Sequence, residues 1–231
     1  MSPTDEKHHN TKESPRDRLL RAGLEAFGLY NYEGATTRDL ADRAGVNVAA
    51  IQYYFGGKEG LYRAVAETIA ERIKTGMEPA AAEARSLLAS DEADPRELIT
   101  AVQGLLRTIA GTLLTSELSL YWARIVIREQ TMPTSAYEII YQGFLEPGNQ
   151  LLADLVARIL GSESADPEVI LLCFTLIGQI IIFRGATETV KRRLDWSDLT
   201  QERIRLVQDM VADNTRALLE AKMQSSAGED P

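Results

Sequence analysis

An all-α protein is predicted, with a small N-terminal three-helix unit followed by a larger helical domain. Three observations carry that reading. Ala, Leu, Glu and Arg are plentiful while aromatic residues make up only 6% of the 231-residue chain, a mix that favours helices over sheets. Apolar residues recur at three- and four-residue spacing along most of the chain, and no run alternates with the two-residue period of a strand. Gly, Asn and Pro fall where helices would need caps and stops.

Taken in order, residues 1–13 are polar and read as a disordered tail. Ser14-Pro15 then signals a helix start, with Ser14 as N-cap and Pro15 in the first helical position. Leu19, Leu20, Gly23, Leu24 and Phe27 follow at helical spacing, and this helix should end near Tyr30. A short helix is expected over 38–44, stopped by Gly45, and a second over 48–54, capped by Asn47 and stopped by Gly56-Gly57. Lys58 opens a longer helix to about Lys74. Beyond Pro79 the expected helices are 80–90, 95–114, 117–129, 135–144, 146–160, 167–187 and 198–223, with Pro133, Pro147 and Pro167 marking breaks or starts. Residues 14–60 and 61–223 therefore read as two domains, with a frayed tail over 224–231.

Composition narrows the functional classes. The formal net charge is −9, which argues against a protein that coats nucleic acid nonspecifically. A local DNA-reading surface remains compatible, since salt screening limits the reach of a charge to roughly 8 Å. Residues 1–60 hold eight Lys/Arg against nine Asp/Glu, so the acidity lies mostly behind them. Cys173, the only cysteine, sits in an apolar helical run and cannot form an intrachain disulfide. His8 and His9, the only histidines, lie in the polar tail, so no zinc-type ligand set and no histidine-based acid–base chemistry is expected. No phosphate-cradling glycine loop or nucleophile elbow is present. Carboxylate chemistry is not excluded on these grounds. Residues 1–18 do not resemble a signal peptide. The most apolar stretch, 169–183, is shorter than the roughly 20 residues of a spanning helix and contains Gln179. A buried helix, no membrane and a cytoplasmic location are expected.

The informative stretch is 36–61, TTRDLADRAGVNVAAIQYYFGGKEGL. It reads as helix, tight glycine turn, helix, aromatic lock, helix. Leu40, Ala41 and Ala44 face inward from the first short helix, and Val46 and Ile51 can pack against them. Small Ala41 and Ala44 allow the close helix approach of a helix-turn-helix, whose second helix enters the major groove.

With Thr37, Leu40-Ala41, Ala44-Gly45-Val46, Tyr54-Phe55, Lys58-Glu59 and Leu61, the chain resembles the TetR family of transcriptional regulators over about residues 15–62. The resemblance implies an N-terminal helix-turn-helix DNA-binding domain and a larger helical domain for ligand binding and dimerisation. It implies contacts to double-stranded, pseudo-palindromic operator DNA from Thr37, Arg38, Val48, Ala49, Ala50, Gln52, Tyr53, Tyr54 and Lys58. Thr37, at a helix N-terminus, suits a phosphate, and Arg38 a guanine edge or a phosphate. Methyl groups of Val48, Ala49 and Ala50 could meet thymine methyls, while Gln52 and Tyr53 face the groove and Tyr54 and Lys58 meet phosphates. Many family members have Tyr where this chain has Gln52, which could serve a phosphate or an adenine edge instead. Other readings stand beside these: Thr37 as a plain N-cap, Tyr53 or Tyr54 as core aromatics, Lys58 as a solvated side chain.

The segment from Tyr121-Trp122 through Arg128-Glu129-Gln130, Pro133-Thr134 and Tyr141 to Pro147-Gly148 is similar to the CecR-like subgroup, some members of which control export genes and antibiotic sensitivity. By the same resemblance the last two long helices form a homodimer's four-helix bundle, with Ile177, Ile180, Ile181, Leu206, Val207, Met210, Val211 and Leu218 supplying apolar faces. A small-molecule effector of unknown identity is implied, with no cofactor and no metal. Trp122, Arg124, Arg128, Glu129, Tyr141, Gln179 and Arg184 are its candidate pocket groups; Arg128-Glu129 reads equally as a surface ion pair. A ligand-responsive repressor is thus expected. An enzyme would consume its metabolite, and a helical adaptor would bind protein without salt-sensitive DNA binding.

Overall fold

The computed structural model describes residues 13–115 and 117–227, leaving aside the side chains of 117, 118, 226 and 227. The described residues contain helices and no strand. The expected tail over 1–13 lies outside them except for Glu13. That carboxylate accepts two hydrogen bonds from Arg21, at 3.2 and 2.8 Å, and hydrogen bonding to Arg21 chiefly holds its pKa below the usual glutamate value. The chain divides into two compact units, 1–65 and 66–231.

In the first unit, α1 (Pro15–Gly34) starts as its residues require: the Ser14 hydroxyl accepts from the Asp17 N–H at 3.1 Å, and Pro15 follows. Helical dihedrals fail at Asn31 (φ 63°), just past the expected end, and the Asn31 side-chain carbonyl accepts from the Gly34 N–H at 2.8 Å. α2 (Thr37–Ala44) ends on Gly45 in the left-handed conformation (φ 61°) that lets the chain turn sharply into α3 (Ala49–Phe55). Asn47 caps α3 as expected, its side-chain oxygen accepting from the Ala49 N–H at 2.8 Å. Leu19, Phe27, Leu40, Ala41, Ile51, Leu61 and Tyr62 are each no more than 1% exposed and form one small core. The Phe27 and Tyr62 rings meet edge-on at 4.8 Å.

α4 (Lys58–Leu88) corrects the sequence reading. It runs unbroken for 31 residues through Pro79, where a break was expected. Proline removes one N–H and crowds the carbonyl four residues back. That carbonyl belongs to Thr75, an exposed residue, so water can serve it, while buried Ile73, Ala81 and Ala84 hold both halves on the core. Strong helix formers at 80–85 then propagate the helix.

The second unit is a helical bundle. α5 (Pro95–Leu114) begins with a capping box: Asp94 accepts from Arg96 N–H at 2.7 Å, and Glu97 accepts from Asp94 N–H at 3.0 Å. α6 (Glu117–Thr131) and the single turn α7 (Tyr137–Ile140) follow. Residues Tyr141–Leu145 then form one π-helical turn, where a plain α-helix was expected, before α8 (Glu146–Leu160). α9 (Pro167–Gly185), α10 (Thr187–Leu194) and α11 (Gln201–Ala227) complete it. α10 lies between the last two expected helices, 167–187 and 198–223, and α11 extends past the expected start of the terminal tail; residues 228–231 lie outside the described ones. α11 is tied to α5 by buried Gln103 donating to the Ala212 carbonyl, and by Gln208 donating to the Arg107 carbonyl, both at 2.7 Å.

α9 is 19 residues long with a mean hydropathy of 1.8, enough by length and composition to cross a membrane. One face, Val169, Cys173, Leu176 and Ile180, is buried in the bundle. Burial pushes the Cys173 thiol up to about 11. We expect Cys173 to resist a thiol reagent at neutral pH and to react at once in denaturant; rapid labelling of the native protein, followed by absorbance, would contradict this burial.

Candidate functional site

α2, the turn and α3 present the side chains expected to meet DNA. Ile51 points into the core at 1% exposure, which turns the opposite face of α3 outward. Opposite Ile51 stand Ala49, exposed, and Tyr53, 82% exposed; Val48, Gln52 and Tyr54, elsewhere on the helix, are also exposed and Ala50 is half-buried. A phenol ring left almost wholly in water on a two-turn helix takes no part in the core of its own protomer. Tyr54 stands edge-on to it at 4.9 Å. The core-aromatic alternative therefore describes neither tyrosine.

The cap of α2 is Thr36, not Thr37: the Thr36 hydroxyl accepts from the Asp39 N–H at 3.1 Å. Thr37 is the first helical residue, half-buried, beside exposed Arg38. Arg18 donates to the Gly45 carbonyl at 3.2 Å and so pins the turn between the two helices to α1. Lys58 holds its ammonium 4.4 Å from the centre of the Tyr32 ring, a cation–π contact that keeps it at the start of α4. Arg43 likewise lies over Tyr30 and donates to its hydroxyl at 3.2 Å.

Within the second unit, α4, α5, α6, the π-helical turn with α8, and α9 surround a cavity of about 460 Å³. Its walls are mostly apolar, with Met77, Ile109, Trp122 and Phe144 from four elements, and Phe174 and Ile181 from α9, among them. Lys74, Glu78, Arg85 and Gln130 also line it and are exposed, with Glu78 and Arg85 paired at 2.5 Å. Size and lining suit a small molecule with a large apolar body.

Residues 19–65 match the family described as bacterial regulatory proteins, tetR family, and residues 95–222 match the C-terminal domain of the HTH-type transcriptional dual regulator CecR. A relative of that name from Shigella flexneri is 36% identical over 218 residues, 93% of this chain and 95% of its own. This chain belongs to the TetR family. It is a DNA-binding transcriptional regulator of the CecR type rather than an enzyme. Solved structures share the fold: a transcriptional regulator from Pseudomonas aeruginosa PAO1 (TM-score 0.61, 14% identity) and AmtR from Mycobacterium smegmatis (TM-score 0.58, 17% identity) each match 96% of this chain and 99% of theirs.

In this TetR-family chain the residues singled out for a ligand separate. Trp122 lines the cavity at 8% exposure. Arg124, Arg128, Glu129, Tyr141, Gln179 and Arg184 are not among its lining residues. Glu129 is wholly buried and accepts from the Thr134 N–H at 2.9 Å and from its hydroxyl, closing the turn after α6, so a surface ion pair does not describe it. Tyr141 stacks on Tyr137 at 5.7 Å, Gln179 donates to Thr215 at 3.2 Å to join α9 to α11, and Arg184 donates to Ser119 at 2.5 Å. Arg124 is exposed and Arg128 half-buried on α6. Sequence reasoning sought polar side chains, whereas the cavity is built from apolar ones that look like ordinary core until the helices are placed.

The apolar face expected of the last helices also shifts. Ile180, Val207 and Val211 are buried in their own protomer, and Ile177 and Ile181 line the cavity. Of the expected residues Leu206 and Met210 are exposed, joined on α11 by Asn214 and Ala217, while on α9 the exposed stripe is Leu171, Thr175, Gly178 and Ile182. Each set falls on one helical stripe at three- and four-residue spacing.

Proposed function

We propose that this regulator is a cytoplasmic homodimeric repressor that leaves a pseudo-palindromic operator when a small molecule fills the cavity. The observation that carries the proposal is α4. Its first turn packs in the reading head through Leu61 and Tyr62, and its later turns, Ile73 to Arg85, form one wall of the cavity. A ligand that binds better to a dimer with wrongly spaced reading heads shifts the population away from the DNA-competent state. Half-sites one DNA turn apart, roughly 34–36 Å, demand a fixed spacing. The exposed stripes on α9 and α11 supply the dimer seam, and they explain an apolar α9 without a membrane. The S. flexneri relative is named a dual regulator; repression is the sign proposed here.

The DNA contacts proposed are Thr37, Arg38, Val48, Ala49, Ala50, Gln52, Tyr53, Tyr54 and Lys58. The test is fluorescence anisotropy with DNA from upstream of the protein's own gene against scrambled DNA, over a salt series. Sequence-preferring binding that weakens steeply with salt is expected. Tyr53→Ala should weaken operator binding by roughly tenfold or more, in keeping with about 1–3 kcal/mol per lost specific contact, while the dimer persists. Full-strength binding by that variant removes Tyr53 from the interface. Equal, weak binding of both DNAs by the unaltered protein counts against the operator reading.

A further inference from the structure

Arg184 is the one group of α9 whose chemistry the fold leaves unfinished. It follows Ile181 by three residues and Ile177 by seven, so it continues the stripe of α9 that faces the cavity. Its partner Ser119, 1% exposed, precedes Trp122 by three residues and Ala123 by four, on the cavity-facing stripe of α6. The Arg184–Ser119 pair therefore stands one helical turn beyond the wall made by Ile181 and Trp122.

The guanidinium donates through Nη2 to the Ser119 hydroxyl, but its Nε is buried and has no hydrogen-bond partner. No carboxylate among the described residues forms an ion pair with it. Among the described residues a neighbouring charge is another cation, Arg124; burial first, and Arg124 second, hold the Arg184 pKa below the usual arginine value. The C-terminal turn of α9 offsets part of this charge without filling the empty N–H. A second protomer seated on Leu171, Gly178 and Ile182 would not reach it, because those residues lie roughly 120–160° around the helix at 100° per residue.

A half-buried guanidinium whose Nε, beside Nη2, is buried without a hydrogen-bond partner offers the edge that a carboxylate bridges with its two oxygens. We propose that the effector is an amphipathic anion, its apolar body in the cavity and its acid group on Arg184, with Ser119 and Arg124 alongside. This inference rests on reading the cavity as the effector pocket, and it adds the ligand's charge and polarity to that reading.

The test compares dodecanoate with 1-dodecanol, each below its solubility or micelle limit, in titrations of the full-length protein followed by tryptophan fluorescence. Trp122 in the wall reports occupancy, and Trp196, stacked under Arg203 and not among the lining residues, supplies the background. Dodecanoate should bind at least about tenfold more tightly than the alcohol, a difference typical of one charge-assisted pair. Arg184→Gln should bring the two within about threefold of each other by weakening dodecanoate alone, and Arg124→Gln should narrow the gap partly. Circular dichroism of each variant shows that the fold is kept. Equal binding of both probes by the unaltered protein, or a preference for dodecanoate that survives Arg184→Gln, overturns the inference and leaves the cavity reading standing. Failure of both probes to bind overturns the cavity reading as well.

Discussion

Gly60→Ala should abolish operator binding and unfold the N-terminal unit well below the melting temperature of the unaltered protein. A Cβ at Gly60 would lie 1.7 Å from the Phe55 carbonyl oxygen and 2.9 Å from its carbonyl carbon. Both are backbone atoms, so no side-chain rotation relieves the overlap. Either α3 or the first turn of α4 must move, and α3 carries Tyr53. Overpacking of this kind costs about 1–3 kcal/mol in ordinary cores and more where backbone must shift. The control is Gly76→Ala, the same chemical change in an exposed stretch of α4, where a Cβ meets no atom within 4 Å. That variant should be neutral or gain up to about 1 kcal/mol from helix propensity. Differential scanning calorimetry with operator anisotropy separates the two. A Gly60→Ala protein with unaltered melting and DNA affinity would show that the approach of α4 to Phe55 is looser than described.

Ile182→Glu should turn the proposed dimer into a monomer without unfolding the protomer. Ile182 is 57% exposed in the protomer, so a carboxylate there stays hydrated in the monomer. In a seam built on the α9 and α11 stripes the same carboxylate would be desolvated beside Leu206 and Met210 of the bundle. An unpaired buried charge costs several kcal/mol, so the dimer dissociation constant should rise by roughly a hundredfold or more. Sedimentation velocity reads the mass directly. Operator affinity should fall with it, since one reading head then binds one half-site. A variant that remains dimeric at micromolar concentration would place the seam elsewhere.

The reading head was legible in the sequence because its constraints are local. Gly45 must take a left-handed conformation, Asn47 must cap α3, and Ile51 must face Leu40 and Ala41; each requirement fixes a residue type at a set spacing within a few dozen residues. Thr36 and Thr37 show the limit even there, since adjacent residues of the same type leave the cap ambiguous until the Thr36–Asp39 bond is seen. Pro79 misled for a related reason: a proline is a local stop signal, but packing of Ile73 and Ala84 on either side overrode it.

By itself, then, the sequence determined the all-helical class, the helix-turn-helix, the outward face of α3 and the membership of the TetR family. Tertiary structure alone decided which apolar residues of α9 are core, cavity wall or exposed stripe. An apolar helix has no polar face to orient it, so its rotation is set by what packs against it. The cavity, and the unfilled Nε of Arg184 beside it, exist only where α4, α5, α6, α8 and α9 converge, and that convergence joins residues more than a hundred positions apart.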